Sequence, residues 1–393
     1  MTQTVTVKPA LIRWAISRSG LSEGDLVRAF PKLGEWERGE RQPTLRQLEQ
    51  FAGKTMTPLG YLFLEEPPDE QLPIPDFRTV GDRAIERPSP NLIETIQAML
   101  RRQAWMREYL TEERQPTLQF VGSAENARNI VSLAARMRET LGLNINWAEQ
   151  HNSWELALRT LRASAERIGV LVATASVVGL NNHRPLDPEE FRGFVLCDEY
   201  APLIFVNGAD SKSAQMFTLA HELVHVWVGR GGLFNLIHTL PYDDEIERFS
   251  NRTAAEFLVP GQKLQELWEK VKHTGNPFKS IAGRFKVSPV AAARRALDLG
   301  LIDSSQFFEF YEQDQKEFHK RKAEERQREK RGGPNFYDVQ DLRLGKRFAH
   351  AVVRAVREGR LLYREAYQLT DLRGNTFTKY ADRLRQRMVN ERQ

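Results

Sequence analysis

Residues 218–225 read Thr-Leu-Ala-His-Glu-Leu-Val-His. Written as a helix, His221 and His225 lie on one face, about 40° apart around the axis. Their imidazoles can therefore share one metal ion, and Glu222 projects beside it. This is the spacing of a zinc hydrolase. Zinc lowers the pKa of bound water toward ~7, and a carboxylate takes the proton as the water attacks a carbonyl. The expected cofactor is a single Zn2+ ion. A chance match would sit among polar residues on a surface helix, whereas Met216, Leu219, Val224 and Trp227 make this helix apolar.

Such a site needs a third protein ligand and leaves the fourth position to water. The sequence has one cysteine, Cys197, so thiolate sites are excluded and the ligand must be His, Asp or Glu. His238 lies in a loop-like run and has no helical partner. Residues 245–260 offer Glu245, Glu247 and Glu256. Glu247, Asn251, Ala254, Ala255 and Leu258 form one small and apolar stripe that can pack against the His helix. Glu245, Arg248, Arg252 and Glu256 fall on the other side, where i,i+4 pairs form in water. Glu247 is therefore the inward carboxylate. Asn251, one turn on, could orient a ligand from behind.

The elements that must hold these residues follow from the change of hydrophobic period. Residues 171–178, 193–197 and 202–207 are β-branched or apolar and bounded by turn residues. The last two read as a hairpin turning at 198–201, and the strand at 205–207 is where a substrate backbone could add as a further strand. Helical patterns surround this small sheet. The expected class is α+β, mostly helical: a core with a small β-sheet, a small all-α domain before it and a helical extension after it. The expected divisions are 1–66, a Pro-rich linker 67–90, a core 91–312, a charged helix or linker 313–334 and an extension 335–393.

The chain has 393 residues, 41% hydrophobic and 28% charged, with formal net charge +5. That length suggests two or three domains. The charge permits nucleic-acid binding without arguing for it. No apolar run approaches the roughly 18 residues of a membrane span, and the first ten residues lack a signal-peptide core. The expectation is a cytoplasmic protein with no membrane partner.

The linked blocks RGFVLCDEYAPLIFVNG, FTLAHELVHVWVG and EIERFSNRTAAEFLVP resemble the ImmA/IrrE metallopeptidases (the DUF955 group). The resemblance runs from about Phe77 to Tyr311. It implies a gluzincin-type zinc peptidase with His221, His225 and Glu247 as ligands and Glu222 as general base. Val224 replaces the usual Gly, and Ser250 stands where a small residue or Cys is common; neither removes a ligand. Residues 229–244 would form a lid or substrate groove. Members of the family typically cut a repressor or partner protein, so the resemblance implies a regulatory protease in a stress, mobile-element or toxin–antitoxin circuit.

Residues 21–52 resemble an XRE-type helix-turn-helix domain through Trp36-Glu37-Arg38-Gly39 and Gln42-Pro43-Thr44-Leu45. Between Leu26 and Trp36 the chain is about four residues short of that pattern, and the missing piece is the start of the recognition helix, whose N-terminal residues reach base edges. Lys32, Arg38 and Arg41 remain as candidate DNA contacts. The other reading is a shrunken helical domain that packs or binds a protein partner. A second helix-turn-helix-like unit, 278–302, begins its second helix at Ser288-Pro289; Arg284, Lys286, Arg294 and Arg295 would allow it to touch DNA, while Ile281, Phe285, Val287, Ala292 and Leu297 favour a buttress for the core. Residues 316–331 interleave both signs of charge, as a solvated helix does. The C-terminal unit resembles the extension of longer ImmA/IrrE-like proteins encoded beside PIN-like toxins. That leaves a second hypothesis, a DNA- or toxin-binding antitoxin or regulator that uses the peptidase fold as scaffold or sensor without proteolysis.

Overall fold

The computed structural model describes residues 4–70, 72–74, 88–234, 245–327 and 335–390. By their contacts they divide into one unit, of residues up to Pro73 and 88–97, and a second, of Ile74 and the residues from Ala98 onward.

The first unit contains α1 (Pro9–Ser19), α2 (Glu23–Ala29), α3 (Leu33–Arg38) and α4 (Leu45–Lys54). Ser22 caps α2 by accepting from the Asp25 N–H. Thr44 and Gln47 form a capping box on α4. Leu11, Leu26, Leu33, Trp36, Leu48 and Phe51 fill the core. Helix α3 has six residues and turns Leu33 and Trp36 inward. Its C-cap, Gly39, has φ +75°, a conformation in which glycine is favoured.

The second unit is built on a four-stranded sheet of order β1-β3-β2-β4. Helix α5 (Pro90–Glu112) leads into it from the first unit's residues, and α6 (Ile130–Thr140) and α7 (Trp154–Arg167) precede the sheet. The strands are β1 (Leu171–Ala175), β2 (Gly193–Leu196), β3 (Leu203–Asn207) and β4 (Gly232–Phe234). β1 and β3 are parallel; β2 runs antiparallel to both β3 and β4. The β2–β3 hairpin turns where expected, with Asp198 Oδ1 accepting from the Tyr200 and Ala201 N–H groups, each at 2.9 Å. Two features differ from the sequence reading. The first strand stops at Ala175 rather than running to 178. β3 is internal, with a neighbour on both edges, so no added strand can pair with 205–207; the end strands are β1 and β4.

Helix α8 (Lys212–Val228) lies against β2 and β3. Ser211 caps its start, and Gly229, at φ +81°, ends it. Every residue from Gln215 to Val228 is buried. Val195, Ile204 and Val206 share one core cluster with Leu219, Ala220 and Leu223. Helix α9 (Glu245–Leu258) packs on α8 and on α6. Then come α10 (Gly261–Val271), α11 (Pro277–Phe285), α12 (Pro289–Asp298) and α13 (Ser304–Gln327). Ser288 caps α12 ahead of Pro289. Ile281, Phe285, Val287 and Ala292 are buried in the same core as α8.

The last helices are α14 (Phe336–Leu344), α15 (Lys346–Arg357), α16 (Tyr363–Thr370) and α17 (Gly374–Asn390). α14 covers β1. Arg162 of α7 donates to the carbonyls of Val172 and Leu342, joining strand and helix. Among the described residues no helix is long and apolar enough to cross a membrane.

Candidate metal centre

Two helices bring the centre together. On α8, His221 and His225 project one turn apart, and α9 sets Glu247 against both. His225 Nε2 lies 3.0 Å from Glu247 Oε1 and His221 Nε2 lies 3.3 Å from Oε2. The two Nε2 atoms are 3.0 Å apart. All three residues are buried, and one ligating atom from each falls within 4.8 Å of the others. Tetrahedral ligands about 2.0–2.1 Å from a zinc ion are about 3.3 Å from one another, so the observed spacings fit such an ion.

The electrostatics separate the two carboxylates. Burial would raise the Glu247 carboxyl, but His221 and His225 beside it outweigh that and hold it at about 2. It is therefore an anion, as a ligand must be. Burial pushes the Glu222 carboxyl well above the usual carboxylate range, and the negative charge of Glu247 adds to the effect. Both Glu222 oxygens are buried with no hydrogen-bond donor among the described residues. A carboxylate without donors has high proton affinity.

A glycine lets the helix come this close to the sheet. A Cβ on Gly193 of β2 would stand 2.5 Å from Thr218 Cγ2, 2.8 Å from the Phe205 carbonyl oxygen and 3.4 Å from Glu222 Oε1. The sequence reading missed this residue; its only signal was a glycine opening a strand. Cys197, at the end of β2, donates its thiol to the His225 carbonyl at 3.6 Å. Burial pushes that thiol up to about 12, with help from Glu222 and Asp198. It remains protonated near neutrality.

The remaining sequence candidates are distributed as follows. Glu245, Arg248 and Arg252 are exposed, as their face predicts. Glu256 is not: it is 5% exposed, ion-paired with buried Arg295 of α12, and its carboxylate accepts from the Gly261 N–H. The solvent-face assignment fails because α9 packs on both α8 and α6, and Arg295 of α12 and the start of α10 close over Glu256 itself. Asn251 is half-buried one turn beyond Glu247 and has no hydrogen-bond partner among the described residues. His238, and residues 235–244 of the expected lid or groove, lie outside the described residues; 232–234 of that segment form β4. Lys32 is exposed, while Arg38 is held by Glu40 at 2.7 Å and Arg41 by Glu35 at 3.5 Å.

Comparison with known proteins agrees with this geometry. Residues 165–297, which include β1 to β4, α8 and α9, match the IrrE N-terminal-like domain. Residues 344–383 match a domain of unknown function, DUF8813. The radiation response metalloprotease IrrE of Deinococcus radiodurans is 34% identical over 96 residues, 23% of this chain. The chain spans 29% of the length of that curated relative. A solved structure described as a Mycobacterium tuberculosis transcriptional regulator aligns over 50% of this chain and 51% of its own, at 14% identity and TM-score 0.28, too low to carry an argument. Residues 165–297 are thus similar to the IrrE N-terminal-like domain, the segment that carries the candidate metal centre.

Proposed function

We propose that the chain is a zinc-dependent regulatory metallopeptidase. The observation that carries this reading is the convergence of His221, His225 and Glu247 beside a buried Glu222 that no donor satisfies. One Zn2+ ion held by the three would supply a Lewis acid, polarising a carbonyl and lowering the pKa of a water. Glu222 takes a proton from the attacking water as its oxygen bonds to the peptide carbon. It returns that proton to the amine nitrogen as the carbon–nitrogen bond breaks. Its high proton affinity suits both halves of this transfer. The His221 and His225 rings sit on the stretch of α8 from Gln215 to Val228 that is buried throughout.

The substrate in this reading is a folded partner, a repressor or a PIN-like toxin, in a stress, mobile-element or toxin–antitoxin circuit. The first unit then serves to bind that partner rather than to read DNA. Its α3 is short and faces inward, and two of its three candidate cations are tied to carboxylates. The binding-only alternative finds no support in a site that keeps all four chemistry-bearing side chains.

The test is metal analysis with activity on the product of the neighbouring gene. Purified protein is expected to hold one equivalent of zinc. His221→Ala is expected to lose it, and a full equivalent in that variant would refute the ligand assignment. Glu222→Gln is expected to keep zinc and lose cleavage; undiminished cleavage would exclude Glu222 as the base.

A further inference from the structure

A second site lies in the C-terminal part of the second unit and shares no residue with the metal centre. It is a cavity of about 630 Å3 among α5, α15 and α17, within the range of small-molecule sites. Met106, Leu110, Val353 and Leu384 give it aliphatic walls. Arg347 and Arg357, ten residues apart on α15, also line it.

The charges around it do not cancel. Glu113 and Glu358 are on the lining, but Arg354 and Arg360 pair with both of them. Arg385 pairs with Asp382. Arg357 has no ion-pair or hydrogen-bond partner among the described residues. Arg347 Nε is buried with no acceptor; Glu166, which is not on the lining, acts on Arg347 but is shared with buried Arg162. A buried guanidinium donor left unmet costs free energy, and two guanidiniums at one cavity favour a carboxylate or phosphate.

The walls decide what else the ligand carries. Tyr109 and His350 are the rings on the lining, His350 has a partner of its own, and the Tyr109 ring has two. Trp105 stacks on it at 5.3 Å and 20°, and the Arg360 guanidinium lies 4.9 Å from its centroid. The rest of the apolar wall is aliphatic, which suits an alkyl chain better than a nucleobase. We propose that this cavity binds a small aliphatic anion, an alkyl chain against Met106, Leu110, Val353 and Leu384 with its carboxylate drawn by the positive charge that Arg347 and Arg357 leave on the lining.

The test is isothermal titration of the full chain with decanoate, decanol and adenosine monophosphate. One equivalent of decanoate is expected to bind, at least tenfold tighter than either decanol or the nucleotide. Arg347→Gln and Arg357→Gln are each expected to weaken decanoate at least tenfold. Arg357 is exposed on a helix end, so its variant decides the matter if Arg347→Gln does not fold. No decanoate binding, or unchanged affinity in a folded variant, overturns the site. Tighter binding of decanol overturns the anionic requirement, and tighter binding of the nucleotide overturns the aliphatic class.

Discussion

Glu247 and Glu256 stand nine residues apart on one helix, both buried, and meet opposite partners. Glu247 faces two imidazoles and Glu256 faces the Arg295 guanidinium. Their variants should therefore fail in different ways. Glu247→Ala is expected to lose stoichiometric zinc, read by elemental analysis after dialysis. Glu256→Ala is expected to keep zinc but to lose about 3–5 kcal/mol of stability, because Arg295 is left as a buried unpaired charge. Denaturant melts of the zinc-loaded protein check this. If Glu256→Ala loses zinc as fully as Glu247→Ala, the ligand is misassigned. The sequence distinguished the two carboxylates only in part. The stripe through Glu247, Ala254 and Leu258 pointed inward at local helical spacing. Glu256 depends on Arg295, a partner 39 residues away on another helix, and spacing within one helix carries no signal for such a pair.

At the scale of elements, the two-helix clamp was legible because amphipathic period and metal-ligand spacing coincide on α8 and α9. The β2–β3 hairpin was legible from two apolar runs and a short polar turn. β4 was not, because three residues carry no period. The internal place of β3 was not either, since strand order depends on where β1 and β4 return to the sheet. The contact between α8 and β2 turns on Gly193, where the helix leaves no room for a side chain. Gly193→Ala is expected to force the helix outward from the strand. The cost should be about 1–3 kcal/mol, as for overpacked cores, and zinc affinity should fall with it as α8 shifts against α9. Zinc competition with a chromophoric chelator measures the affinity. Wild-type affinity with an unchanged melt would show that the close approach is not needed to set the site.

For the whole molecule, the +5 charge is a poor guide to surface chemistry, because many arginines act inside. Arg138 donates to the Glu256 and Phe257 carbonyls, and Arg295 to that of Val259. Arg162 ties β1 to α14. Arg102 of α5 reaches further along the chain, donating to the Leu369 and Arg343 carbonyls at 2.9 Å each and pairing with Asp371 at 3.3 Å. Burial lowers it, against the pull of Asp371, to about 10, so it stays charged near neutrality. Sequence separations of 267 and 241 residues put such bonds beyond any reading of local pattern. They make the helices after Asn335 part of what holds the sheet, not an appendage to it. Arg102→Ala would leave two carbonyls and a carboxylate without their donor. The expected loss is about 3 kcal/mol, seen as a fall of about 5 °C or more in Tm. Zinc content should remain at one equivalent, since no metal ligand touches Arg102. A variant that melts like the parent would show that the C-terminal helices dock without this clamp. A variant that melts normally but sheds zinc would mean that Arg102 acts on the metal centre instead.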